Sequence, residues 1–175
     1  ILFARKFIGW NKIVETIGLD EDAIIQLEVS FRCTVPIMTL AHKVAGDPKK
    51  VQGRAGSDPV WQRAENYIDL IETLADWSRG LLRVDPYKLI ALVCRYPKQA
   101  MELKEELDAY LPGEVRLGHR DQFSFEPGIL VTNIHQVKGL EFDSVALVEP
   151  DEDNYPAQKE ESRNMIYVGI TRTQE

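Results

Sequence analysis

The stretch Ile129-Leu130-Val131-Thr132-Asn133-Ile134-His135-Gln136-Val137-Lys138-Gly139-Leu140-Glu141-Phe142 decides how the rest of the chain is read. It opens with a β-rich run, 129–133, and passes through a Lys138-Gly139 turn. A second β-rich run follows at 145–148. Gly139 permits a tight turn and a close backbone approach that a side chain would block. His135 and Lys138 are donors beside that turn, and Glu141 is an acceptor just after it.

Working outward, strands and helices alternate, the pattern of an α/β domain with a mainly parallel sheet. A strand is expected at 25–30. Thr34 then caps a helix with Pro36 in its first turn and Ile37, Leu40, Ala41 and Val44 on one face. Gly46-Asp47-Pro48 ends that helix, and 49–59 reads as a short strand or exposed loop. A second helix is predicted from about Trp61 to Ser78, on the spacing of Ala64, Tyr67, Ile68, Ile71, Leu74 and Ala75. The continuous apolar run at 89–93 suits a strand covered on both faces. Pro97 starts a third helix through Leu111, with Ala100, Leu103, Leu107 and Leu111 inward. A last helical stripe, Met165, Ile166, Gly169 and Ile170, lies within 161–173. Trp61 and Trp77 are expected to pack rather than serve as stacking platforms.

Composition is that of an ordinary globular domain: 175 residues, 44% hydrophobic and 28% charged, with no apolar run near the roughly 20 residues that cross a bilayer. Cys33 and Cys94 are 61 positions apart in apolar settings and read as buried reduced thiols, neither a disulfide nor a metal site. A cytoplasmic, bacterial setting is the expectation. The net charge of −7 counts against strong nucleic-acid binding. Six acids and one base fall in 149–161, however, leaving 20 bases against 22 acids elsewhere. Local phosphate contacts depend on those local charges and not on the total.

Three strings carry the chemistry. They are Leu27-Glu28-Val29-Ser30-Phe31-Arg32-Cys33, the Ile134–Phe142 segment above, and Ile166-Tyr167-Val168-Gly169-Ile170-Thr171-Arg172-Thr173. An aromatic next to a guanidinium after a strand can stack on a base and bind phosphate oxygens bidentately. Taken alone, Phe31-Arg32 reads first as a core aromatic and a surface ion pair; its company alters that reading. Arg172 alone fits a cation closing a helix C-terminus. His135 alone is an ordinary satisfied histidine, with no second ligand at metal spacing.

In this order the strings resemble motifs IV, V and VI of the UvrD/Rep-like superfamily 1 DNA helicases. The resemblance implies a RecA-like three-layer domain with a mainly parallel sheet, the second (2A) of two motor lobes. It spans 24–175 without a large insertion, after a lead-in at 1–23. The phosphate-loop pattern Gly-x-x-x-x-Gly-Lys-Ser/Thr is missing. ATP and Mg²⁺ are therefore expected between this domain and an N-terminal RecA-like partner that supplies that loop and the metal ligands; no metal site is expected here.

Carried over residue by residue, Phe31 stacks on the base and Glu141 holds the ribose beside Gly139. Arg32 and Arg172 grip the γ-phosphate, Arg172 as an arginine finger. Asn133, His135 and Lys138 meet single-stranded or partly duplex DNA. The chain departs from the family pattern at Phe31 (Tyr in the family), Asn133 (Thr), Gly169 and Thr173 (both Ala). The departures at Asn133, Gly169 and Thr173 motivate an alternative, a degenerate RecA-like binding or regulatory module without ATPase activity. A helicase fused to a nuclease is the third expectation. Asn154-Tyr155-Pro156 resembles a structural Phe-Pro of the family.

Overall fold

Leu89-Ile90-Ala91-Leu92-Val93-Cys94 has no charged member, and in the computed structural model all six residues are buried at the centre of a parallel sheet. The structure describes residues 10–20, 29–30 (backbone only), 32–48, 50–119 and 123–174. In chain order the elements are α1 (Trp10–Ile17), β1 (Val29–Ser30), α2 (Val35–Ala45), β2 (Gln52–Gly53), α3 (Tyr67–Val84), β3 (Leu89–Cys94), α4 (Pro97–Tyr110), β4 (Val115–Leu117), β5 (Gly128–Asn133), β6 (Ser144–Leu147) and α5 (Glu160–Ile170). Four strands form an all-parallel sheet in the order β4-β5-β3-β6, and β1 and β2 form a separate parallel pair.

Side-chain alternation along β3 builds two cores. Ile90, Leu92 and Cys94 pack with Ile129 and Val131 against Ile71, Leu74 and Ala75 of α3 and Ala100, Leu103 and Leu107 of α4. Leu89, Ala91 and Val93 pack with Leu130 and Ile134 against Met165 and Val168 of α5. Helix α2 lies against α5, so the layers run helix, sheet, helix. Gly169 sits where a Cβ would lie 2.5 Å from Leu147 Cδ2, so the glycine lets α5 approach β6.

The register brings strand ends together. Cys94 of β3 pairs with Asn133 of β5, and Val93 with Leu147 of β6, so three strands finish along one edge. Ligands in open parallel sheets gather at that edge.

Several boundaries differ from expectation. Helix α3 starts at Tyr67 and not at Trp61, because the Asn66 side chain accepts the Asp69 N–H at 3.0 Å and fixes the first turn there. It also runs six residues past Ser78, since Leu81 and Leu82 still pack on the core. Trp61 consequently lies outside the helix and is 70% exposed, whereas Trp77 packs against the core. The three-residue strand β4 and the helix α1 were not anticipated. Of the strand expected at 25–30, only its end, β1, falls within the described residues. Cys33 and Cys94 are buried free thiols. Among the described residues no helix is long and apolar enough to cross a membrane.

Candidate functional site

Three separate stretches meet beside the C-terminal end of α5. Arg32 precedes α2, Glu141 lies between β5 and β6, and Arg172 occupies the turn after α5. Their approach is fixed by backbone. Phe142 and Thr173 form an isolated parallel bridge, with the Phe142 N–H donating to Arg172 O at 2.9 Å and the Gln174 N–H to Phe142 O at 3.0 Å. Thr173 Oγ1 also donates to Asp143 O at 3.1 Å. The turn leading into Glu141 needs Gly139, whose φ of +85° is a left-handed conformation that costs a side-chain-bearing residue about 1 kcal/mol.

On this frame Arg32 Nε meets Glu141 Oε1 at 2.5 Å. Both side chains are partly exposed, so the pair contributes at most about 1 kcal/mol and is easily exchanged for another partner. Arg172 is half-buried and directed inward. Its Nε donates to Val168 O (3.1 Å), Nη1 to Leu140 O (3.3 Å) and Nη2 to Thr171 Oγ1 (3.2 Å). Burial, and after it the charge of Arg32, lowers the Arg172 pKa from its ordinary value. The two guanidiniums therefore share one neighbourhood.

A further cation, which sequence reasoning left in an exposed loop, joins them. Arg54 Nη2 donates to Arg32 O (3.3 Å) and to Gln174 O. Beneath this group lies the buried Cys33. Its thiol is held above its usual pKa by burial, although Arg172, Arg32 and Arg54 all pull it down. Three guanidiniums against one carboxylate suit an anion such as a polyphosphate and do not suit a metal ion. Among the described residues no group of three His, Cys, Asp or Glu side chains is clustered to hold one. Phe31 lies outside the described residues.

The other expected residues lie along the strand-end edge. Asn133 is 1% exposed; its Oδ1 accepts the His135 N–H at 3.1 Å, and its carbonyl accepts the Gln136 N–H at 2.9 Å. It shapes the turn from beneath, and a DNA phosphate cannot reach it in this arrangement. His135 and Lys138, by contrast, are exposed. His135 Nε2 lies 3.1 Å from Arg95 Nη1. That arginine, immediately after β3, packs 4.7 Å from the ring centre of Tyr96 and 5.6 Å from that of buried Tyr155. Its Nε donates to Asn154 O at 3.3 Å. Asn154 also accepts from Gln99 Nε2 (2.8 Å), so Asn154-Tyr155-Pro156 is structural in its contacts. Arg95 and Tyr96, the residues that follow an apolar strand at a ligand-gathering edge, went unnoticed in the sequence; their position after the 89–93 run was the available signal.

Residues 128–175 match the family described as the UvrD-like helicase C-terminal domain. Over 181 residues the chain is 25% identical to the ATP-dependent DNA helicase Rep of Buchnera aphidicola subsp. Schizaphis graminum (strain Sg), covering 96% of this chain and 23% of that protein. It is 29% identical over 121 residues to the ATP-dependent DNA helicase Rep of Buchnera aphidicola subsp. Acyrthosiphon pisum (strain APS), covering 63% of this chain and 16% of that protein. The chain thus spans less than a quarter of the length of these relatives. A solved structure described as the C-terminal domain of a possible DNA helicase from Lactobacillus plantarum WCFS1 superposes with a TM-score of 0.69 over 84% of each chain. At 21% identity that likeness concerns the fold, which is α/β and consistent with a RecA-like three-layer domain. Over residues 128–175 the chain is thus similar to the UvrD-like helicase C-terminal domain family, and Rep helicases are among the proteins it resembles.

Proposed function

We propose that residues 24–175 are the second lobe of an ATP-driven DNA translocase, completing a nucleotide site whose phosphate loop and Mg²⁺ ligands belong to a partner RecA-like lobe. The observation that carries this reading is the meeting of Arg32, Glu141 and Arg172, which come from distant parts of the chain, on one rim. Arg32 and Arg172 would hold the γ-phosphate, Glu141 beside Gly139 the ribose, and Phe31 the base. A rigid, permanently charged guanidinium suits the charge that develops on a transferring phosphoryl group. His135 and Lys138, joined by Arg95 and Tyr96, would touch single-stranded DNA, with Asn133 acting through the shape of the turn. Nucleotide-facing and DNA-facing residues share the loop between β5 and β6, so loss of the phosphate would be felt at the DNA. The bacterial origin of its Rep-like relatives supports action on DNA in a bacterial cytoplasm.

The test is Arg172→Ala in the two-lobed protein. DNA-stimulated ATP hydrolysis is expected to fall on the order of 10³–10⁵-fold, as for other arginine fingers, with nucleotide binding retained. The isolated 175-residue chain is expected to hydrolyse no ATP. Turnover that survives the substitution removes the finger role. A second reading, a binding module whose ATPase has decayed, is favoured by the inward hydrogen bonds of Arg172 to Val168, Leu140 and Thr171. It predicts nucleotide binding without DNA-stimulated turnover in the unaltered protein.

A further inference from the structure

Arg54 comes from the loop after β2 and meets no carboxylate within salt-bridge distance among the described residues. Its guanidinium is spent on main-chain carbonyls, those of Arg32 and Gln174. These two segments carry the other arginines of the site and lie 140 residues apart in the sequence. Another tie between them is weaker, Cys33 Sγ to Thr171 O at 3.5 Å, while Gln174 Nε2 reaches instead to Glu141 Oε2 of the β5–β6 loop at 3.4 Å. A hydrogen bond from a charged donor is about twice as strong as a neutral one. The loop is itself anchored, because the Val35 N–H at the start of α2 donates to Arg54 O at 2.8 Å. Two residues on, Gly56 is pressed against buried Thr34, where an added Cβ would lie 2.3 Å from Thr34 Cγ2.

We infer that Arg54 is a positioning residue, clamping the backbones of the Arg32 and Arg172 segments so that both guanidiniums are presented to one phosphate. This rests on the proposed nucleotide site and deepens it. A misplacement of about 1 Å costs an oriented reaction on the order of 10²-fold. The effect of losing the clamp therefore belongs in the rate and not in ground-state affinity.

The experiment measures DNA-stimulated ATPase kinetics and thermal melting in the two-lobed protein for Arg54→Ala, Arg54→Lys, Arg32→Ala and Arg172→Ala. Arg54→Ala is expected to lower kcat at least about tenfold with KM for ATP changed less than about threefold. Its melting transition should remain close to that of the unaltered protein, since the side chain is exposed. Arg54→Lys keeps the charge and part of the reach, and should restore part of the loss. An unaltered kcat in Arg54→Ala beside inactive Arg32→Ala and Arg172→Ala overturns the clamp and leaves the nucleotide site standing. A loss confined to KM, or one that tracks a lowered melting transition, also overturns it. Full turnover in both Arg32→Ala and Arg172→Ala removes the nucleotide site itself, a different result from failure of the clamp alone.

Discussion

At the residue scale, His135 is defined by its neighbour. Arginine can only donate, so the contact between Arg95 Nη1 and His135 Nε2 requires Nε2 to accept, which places the neutral ring's proton on Nδ1. Protonating Nε2 would destroy that bond and set two cations face to face. Burial first, and then the Arg95 charge, lowers the His135 pKa below 6.5, with Glu161 pulling weakly the other way. The sign follows directly. The unfolded chain takes up this proton at about pH 6.5, before the folded chain does. The stabilising contribution is therefore complete above that pH and declines as pH falls through the lower folded value. Arg95→Ala is expected to move the His135 pKa upward toward 6.5, read from the imidazole proton shifts in an NMR titration; a value that stays put or falls would show that Arg95 does not set it. At neutral pH the DNA contact proposed for His135 is thus that of a hydrogen-bonding ring and not of a charge. None of this was visible in the sequence, where Arg95 and His135 are 40 positions apart.

At the element scale, sequence reading succeeded where one element's own residues decide its state. The all-apolar 89–93 run and the inward Ala100, Leu103 and Leu107 of α4 are such cases, and Leu111 just after that helix is buried as expected. It failed where a local polar contact or a distant surface competes. Helical spacing from Ala64 argued for an early start to α3, but Asn66 capped the helix later. Strand β4 is three residues long, too short for alternation to register, and exists because its Val115–Leu117 backbone pairs with β5. The loop after β2 read as exposed and is mostly so, yet its Gly56 is constrained from outside the loop. Thr34 beside it is 2% exposed and β-branched, so it has little freedom to turn away from an added methyl. Gly56→Ala is therefore expected to destabilise the protein by about 1–3 kcal/mol, the usual cost of overpacking. Chemical denaturation would measure it. A change below about 0.5 kcal/mol, the range of neutral surface substitutions, would mean the loop does not press on α2 as the structure has it.

At the scale of the whole molecule, the three motif strings were legible in order and spacing, but their meeting depends on long-range pairing that no string contains. The bridge of Phe142 to Thr173 and the reach of Arg54 to Gln174 are examples. Charge is likewise a property of place. The chain carries −7 overall, and at the strand-end edge Arg95 beside His135, with Lys138 three residues on, lies close to the acidic 149–161 stretch that follows β6, whose Asn154 accepts from Arg95. With His135 neutral, about two phosphates can be neutralised there. A single strand loses affinity with salt at a slope of about −0.7 per neutralised phosphate, which gives about −1.4 in log Kobs against log salt. The 175-residue chain should accordingly bind single-stranded DNA weakly. Titrations of a labelled oligonucleotide at several salt concentrations should return that shallow slope, with Lys138→Ala lowering its magnitude by about 0.7. A slope steeper than about −3, or one unmoved by Lys138→Ala, would put the DNA on another face of the molecule and separate it from the loop that bears Glu141.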